Sequence, residues 1–277
     1  MSDFRVQLAH LSDLHFGAAS SAAIDALHDD LAKRDPEMVV ITGDLTQAGR
    51  KKEFEEAREF LSNLKAKTFI VPGNHDLPVR NLWARFVAPY NRFQRYISDS
   101  INPVWTDNRF ALIGLNSARR AALGVNWSYG RLSRRQIDDA ITQLQNADAA
   151  CIKIIAAHHP FIRGPGKAGA RIVKRGGEAM SEFACNGLDI ILTGHVHLSK
   201  AEIIAAGSRN IIVIQAGTAV SGRTRGEPPS FNVIAASPSC VEVEAVTLRE
   251  KLFRSAKKNS FVRADEGGWI ADSATPK

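Results

Sequence analysis

Cysteine is scarce in this sequence, and its spacing offers no pairs. Cys151, Cys185 and Cys240 are odd in number, far apart and free of any CxxC. The pattern gives neither a disulfide framework nor a CxxC site, and it suits reduced thiols in a cytoplasmic protein. Long apolar runs are missing too: no uninterrupted stretch approaches the ~18 residues a membrane helix needs. The N-terminus, MSDFRVQLAHLSD, has no basic head before an apolar core, so no secretory signal is expected. There is no internal repeat and no low-complexity tract.

What is present is an ordinary globular balance. The 277 residues are 44% hydrophobic and 23% charged, enough for a sizeable core in one large α/β domain or two small ones. The net charge of +7 is unevenly spread. Residues 163–175 (RGPGKAGARIVKR) hold five basic residues and no acid, and 249–263 (REKLFRSAKKNSFVR) hold six and one acid. These two stretches carry +10, so the rest of the chain is about −3. Such patches attract phosphates in general, on nucleic acid, lipid head groups or small molecules. For the second, a solvated surface is an equally good reading.

Apolar, β-rich runs recur at 4–11, 38–42, 68–71, 110–115, 151–156, 189–193, 211–215, 231–236 and 241–247. Several are apolar at successive positions, as strands buried on both faces are. Helices are expected at 20–33, 51–65, 133–146 and 176–185. Alternating strands and helices argue an α/β sheet with right-handed crossovers. One domain over 1–247 and a basic tail over 248–277 follow from this division. An aromatic insert at 77–100 has Trp83, Phe86, Val87, Tyr90 and Ile97 near helical spacing, with Pro89 set to break any helix. It reads as a packing face or as a cap over a site.

The strand ends carry the chemistry. After successive strands come Asp13-Leu-His15, Gly43-Asp44, the GNHD of Gly73 to Asp76, the HHP of His158 to Pro160, and the GHVH of Gly194 to His197. Six of the eight histidines sit in these stretches. Sites in open α/β sheets form at the carboxyl ends of strands. Residues i and i+2 of an extended segment point to one side, so Asp13 with His15, and His195 with His197, are expected to converge. Imidazole with carboxylate suits Zn, Mn or Fe. Glycines at 43, 73 and 194 allow tight turns and close backbone approach. The ligand candidates are too many for one tetrahedral ion, and with one bridging carboxylate they fit two. Any single piece is weak as a motif; five in order are hard to explain by accident.

In that order the motifs resemble the calcineurin-like binuclear metallophosphoesterases. LSDLHFG, GDLT, VPGNHD and ALIGLNS…YGRLSRRQIDDAITQL look most like the class III cyclic-nucleotide phosphodiesterase and glycerophosphodiesterase branch. The resemblance implies a four-layer αββα sandwich. It implies one divalent transition metal held by Asp13, His15, Asp44 and His197, and a second held by Asp44, Asn74, His158 and His195, with Asp44 bridging. His159 matches no ligand. Asn74 and His75 would meet the substrate phosphate, and Asp76 would fix the His75 ring as its partner in catalysis. The LPVRN that follows GNHD departs from the usual cyclic-nucleotide pattern and leaves the substrate open.

The expected reaction is hydrolysis of a small anionic phosphodiester, a cyclic nucleotide or a glycerophosphodiester, by a hydroxide held between two ions (Mn, Fe or Zn). A nuclease or phosphomonoesterase on the same fold is the alternative, and a scaffold that has lost the chemistry is a third reading, against which the intact ligand set speaks. Nucleic acid is a less favoured partner, because no added nucleic-acid-binding motif is present. A homo-oligomer is left open. The basic 163–175 loop reads equally as a phosphate-steering wall or as plain surface.

Overall fold

The computed structural model describes residues 4–79, 81–120, 128–163, 172–221, 227–265 and 267–272. MVVIT is buried at every position, as a strand covered on both faces requires. It forms β2 (Met38–Thr42), parallel to β1 (Val6–Leu11) and β3 (Lys67–Val71). The same sheet runs on through antiparallel β10 (Ser230–Ala236), β11 (Cys240–Arg249), β12 (Leu252–Arg263) and β13 (Trp269–Ala271), in the order β13-β12-β11-β10-β1-β2-β3. A second sheet has the order β4-β5-β6-β7-β9-β8. Its strands are β4 (Val104–Thr106), β5 (Phe110–Leu115), β6 (Ile152–Ala157), β7 (Ile190–Thr193), β8 (Lys200–Ala206) and β9 (Arg209–Gln215). The inner four are parallel.

Period-two alternation then sorts the side chains into layers. Val6, Leu8, Met38 and Val40 join Leu112, Ile154, Leu192 and Ile214 in the core between the sheets. Ala9, Leu11, Val39 and Ile41 face the other way, under Leu27 and Leu31 of α1 (Ser21–Arg34) and Phe54 and Phe60 of α2 (Lys51–Ser62). On the far side, Ile113, Ile155 and Ile191 lie under Leu144 of α5 (Arg134–Asn146) and Phe183 of α6 (Gly176–Cys185). The result is the four-layer αββα sandwich. Ser133 begins α5 with a capping box: its hydroxyl accepts the Gln136 N–H.

The insert forms two short helices, α3 (Leu82–Val87) and α4 (Asn91–Tyr96), with Pro89 in the break between them. Its expected packing face holds only in part. Phe93 is buried in the helix-side core with Tyr96 and Ile97 against it, but Trp83 is 77% exposed, and Phe86 and Val87 are exposed as well. Among the described side chains of α3 the buried one is Arg85, whose guanidinium donates to the carbonyls of Arg120 (3.1 Å), Pro78 (3.2 Å) and Arg119 (3.3 Å).

The expected basic tail is not a tail. Residues 252–263 pair with β11 along their length, and β13 pairs with β12 in turn. A bulge at Ala256 explains why the strand is hard to read. Phe253 and Phe261 are an even number of positions apart, which should put them on one face. The extra residue shifts the phase, so Phe253 enters the helix-side core and Phe261 the core between the sheets. Trp269 then closes the sandwich: it is fully buried, and its Nε1–H donates to Asp189 Oδ1 at 3.1 Å. That carboxylate also takes Arg263 at 3.0 Å and the Lys153 N–H at 3.0 Å.

Candidate metal centre

Each motif begins where a parallel strand ends: Asp13 after β1, Asp44 after β2, Asn74 after β3, His158 after β6 and His195 after β7. The first three strands belong to one sheet and the last two to the other. The site therefore sits on the seam between two sheet rims. Two bonds close the seam. His158 Nδ1–H donates to the Thr42 carbonyl (2.8 Å), and the His195 N–H donates to Asp13 Oδ2 (2.9 Å).

The backbone there is not extended. Asp13, His15, Asp44, His195 and His197 all have positive φ, between 50° and 70°. Asp and His are among the residues that tolerate this region, and such strain concentrates at functional sites. The turn sends His197 and His195 to different neighbours: His197 Nε2 lies 3.2 Å from Asp13 Oδ1, whereas His195 Nδ1 lies 3.2 Å from His158 Nε2. The glycines make room. A Cβ on Gly73 would sit 2.2 Å from Asp44 Oδ1, and one on Gly194 would sit 1.8 Å from Ser12 Oγ.

Two clusters result. In one, His15 Nε2 and His197 Nε2 lie 3.6 and 3.2 Å from Asp13 Oδ1. In the other, His158 Nε2 faces Asn74 Oδ1 (3.2 Å), His195 Nδ1 (3.2 Å) and Asp44 Oδ2 (3.3 Å). Asp44 Oδ2 is also 4.0 Å from His15 Nε2, so this carboxylate stands between the clusters. Backbone carbonyls set the tautomers. Nδ1–H of His158 points at Thr42 O and that of His15 at Thr46 O (3.4 Å), so in the neutral rings both Nε2 lone pairs turn inward. Buried Asp13 Oδ1 and His15 Nε2 make no hydrogen bond. Lone pairs gathered with too few protons to share fit a cation among them.

The electrostatics agree. Burial opposes charge on Asp13 and Asp44. The imidazoles beside them (His15 and His197 for Asp13, chiefly His158 for Asp44) nonetheless hold both well below the carboxylate range. Burial works against His158 too, yet Asp44 and Asp13 pull it up to about 9. Burial and the charge of His158 push His195 down to about 4. The two carboxylates thus favour positive charge beside them, while His195 resists a second one next to His158.

His75 and Asp76 divide differently from expectation. His75 belongs to none of the candidate metal groups found among the described residues. Its N–H donates to Asp44 Oδ1 (2.8 Å), and its ring Nδ1–H to the Gln47 carbonyl (2.7 Å). Asp76 does not hold that ring. Its carboxylate accepts from Gly73 N–H (2.9 Å), Thr46 N–H (2.9 Å) and the Thr46 hydroxyl (3.0 Å). These bonds tie the GNHD turn to the strand end that carries Asp44. Burial and the Asp44 charge raise it to about 6. His159 lies near His158 and His195, but its Nδ1 meets Ser117 Oγ (2.8 Å) and its Nε2 meets Ser128 O (2.9 Å). Both ring nitrogens are thus engaged within the protein, although His159, His158 and His195 stand close enough together to form a candidate metal group. In the basic 163–175 loop, 164–171 lie outside the described residues, and Arg175 donates to the Leu132 carbonyl at 3.3 Å. The sequence reading missed the acceptor carbonyls of Thr42, Thr46 and Gln47, which have no side-chain signature.

The family model for calcineurin-like phosphoesterases matches residues 6–199. A probable cyclic nucleotide phosphodiesterase of Synechococcus sp. is 24% identical over 202 residues, 69% of this chain and 73% of that protein. A probable glycerophosphodiester phosphodiesterase of Arcobacter nitrofigilis is 28% identical over 137 residues, 50% of this chain and 46% of that protein. Among solved structures, a dimetal phosphatase from Danio rerio superposes with a TM-score of 0.64 at 13% identity, over 92% of this chain and 98% of that one. That last likeness is one of fold. Motif order, sandwich and matched span agree: this chain belongs to the calcineurin-like phosphoesterase family.

Proposed function

We propose that the protein is a metal-dependent phosphodiesterase for small diesters, a cyclic nucleotide in preference to a glycerophosphodiester. The observation that carries the reading is Asp44, a buried carboxylate within 3.3 Å of one imidazole cluster and 4.0 Å of the other. One divalent ion would be held by Asp13, His15, Asp44 and His197, and a second by Asp44, Asn74, His158 and His195. Imidazole with carboxylate and amide oxygen suits Mn, Fe or Zn. Bound there, two such ions supply Lewis acidity and a water acidic enough to act as nucleophile at neutral pH.

The chain supplies the rest. Asn74 and His75 meet the phosphate, and His75 passes a proton to the departing alkoxide. No serine or cysteine nucleophile is needed. A diester carries one negative charge and two organic arms, so it needs fewer cations and more room than a monoester. No arginine stands in any of the five motifs. The insert that follows Leu77 exposes Trp83, Phe86 and Val87 as apolar surface, which suits an organic arm. The preference for a cyclic nucleotide rests on resemblance. The three free cysteines suit a reducing compartment, and we place the protein in the cytoplasm.

The test is the ratio of kcat/KM on bis-p-nitrophenyl phosphate to that on p-nitrophenyl phosphate with the same metal. The diester is expected to lead by about tenfold or more, roughly 1.4 kcal/mol in barrier. A monoester preference would leave a phosphatase on this fold.

A further inference from the structure

The ring of His75 is aimed by a backbone carbonyl, and that carbonyl belongs to a loop held from two sides. Gln47 accepts the His75 Nδ1–H at 2.7 Å, while its own N–H donates to Phe16 O at 3.0 Å. The next residues are gripped by a buried acid. Glu53, in the first turn of α2, is 4% exposed, and its Oε2 accepts the N–H groups of Ala48 (2.8 Å) and Arg50 (3.1 Å). The neighbouring turn is shaped around it: Gly17 has φ of +94°, and a Cβ there would sit 2.9 Å from Glu53 Cγ. From the other side comes the insert. Arg92 of α4 donates from its guanidinium to the Gly49 carbonyl at 2.6 Å. Charge-assisted bonds of this kind are about twice as strong as neutral ones.

We propose that Glu53 and Arg92 are positioning residues that brace the 47–50 loop, so that the Gln47 carbonyl fixes the tautomer and aim of His75. The chemistry follows from the imidazole itself. A carbonyl accepts and cannot donate, so a rigid one beside Nδ1 keeps the proton there. Nε2, bare in the neutral ring, is then the nitrogen that takes up a proton from solvent and, in the imidazolium form, gives it to the departing alkoxide. A loosened loop lets the ring turn and water take over Nδ1. The insert thereby gains a second task beside lining an organic arm: α4 reaches the catalytic histidine through Arg92, Gly49 and Gln47. The inference rests on the role of His75 given above.

The experiment uses the full chain loaded with zinc, which is diamagnetic. Long-range nitrogen–proton correlation spectra read the tautomer of His75 directly. Wild type should show one Nδ1–H tautomer, and Glu53→Ala and Arg92→Met should each show a mixture. In parallel, kcat on a diester with a poor alkoxide leaving group should fall roughly 10-fold to 10²-fold. KM and zinc content should hold, and p-nitrophenyl diesters should lose less because their leaving group needs no proton. Glu53→Gln keeps an acceptor oxygen and should restore most of the rate. An unchanged tautomer and kcat in both Glu53→Ala and Arg92→Met, with only a lower Tm, would overturn the brace. His75→Ala is the separate control. If it stays active, the catalytic role of His75 falls, and the spectra alone decide whether the brace exists.

Discussion

Five of the candidate metal ligands hold left-handed backbone: Asp13, His15, Asp44, His195 and His197. Each such residue costs about 1–3 kcal/mol and persists only where its surroundings over-determine it. Here they do, because Gly43, Gly73 and Gly194 let neighbouring strand ends touch. Gly73→Ala is the sharpest single test of that closeness. Its Cβ would fall 2.2 Å from Asp44 Oδ1, with the Asp44 backbone nitrogen at 2.3 Å, so the carboxylate must move. The variant should fold, bind less than the wild-type metal content and lose activity by about 10²-fold or more, as misplaced catalytic geometry does. Elemental analysis of the purified variant checks it; full metal content would mean the turn can relax. The gathering of carboxylates and imidazoles at the strand ends was legible in the sequence because side-chain identity carries it. Their backbone was not: extended geometry was the natural expectation for D-x-H and H-x-H, and local turn strain leaves no separable mark on composition.

Apart from the partly buried edge strands β4 and β8, which the sequence reading missed, the strands from β1 to β11 were equally legible from their alternate or continuous apolar faces. β12 was not. Its long middle, Arg254 to Lys258, is exposed and basic, and its two phenylalanines serve opposite faces across a bulge. Nothing local distinguishes that from a polar tail; pairing with β11 decides it. The consequence is measurable. Trp269 is fully buried and joins β13 to Asp189 of the other sheet. Trp269→Ala should therefore cost about 3–5 kcal/mol, read from urea unfolding. A chain ending at Leu248, which removes both strands, should lose cooperative unfolding. If that truncated chain keeps the wild-type midpoint, the last strands are ornament after all.

Across the whole molecule, charge and chemistry separate. The basic strand β12 lies three strand spacings from β1 in the sheet order, about 14 Å at the usual spacing. That exceeds the ~10 Å screening length at 0.1 M salt. Neutralising Lys257 and Lys258 should leave kcat/KM within about twofold at that ionic strength. A larger, salt-sensitive drop would point to a general field or a nucleic-acid partner. What the two sheets share is the rim, where β1, β2 and β3 meet β6 and β7 and Asp44 stands between two imidazole clusters. The central claim is that this rim holds two divalent ions through one bridging carboxylate, and metal stoichiometry tests it most directly. Wild type, Asp44→Ala and His158→Ala would each be purified with manganese present and assayed for metal per chain. The account predicts about two ions in wild type, loss from both sites in Asp44→Ala and about one ion retained in His158→Ala. A wild type without transition metal, or an Asp44→Ala variant that still holds two ions, would contradict it.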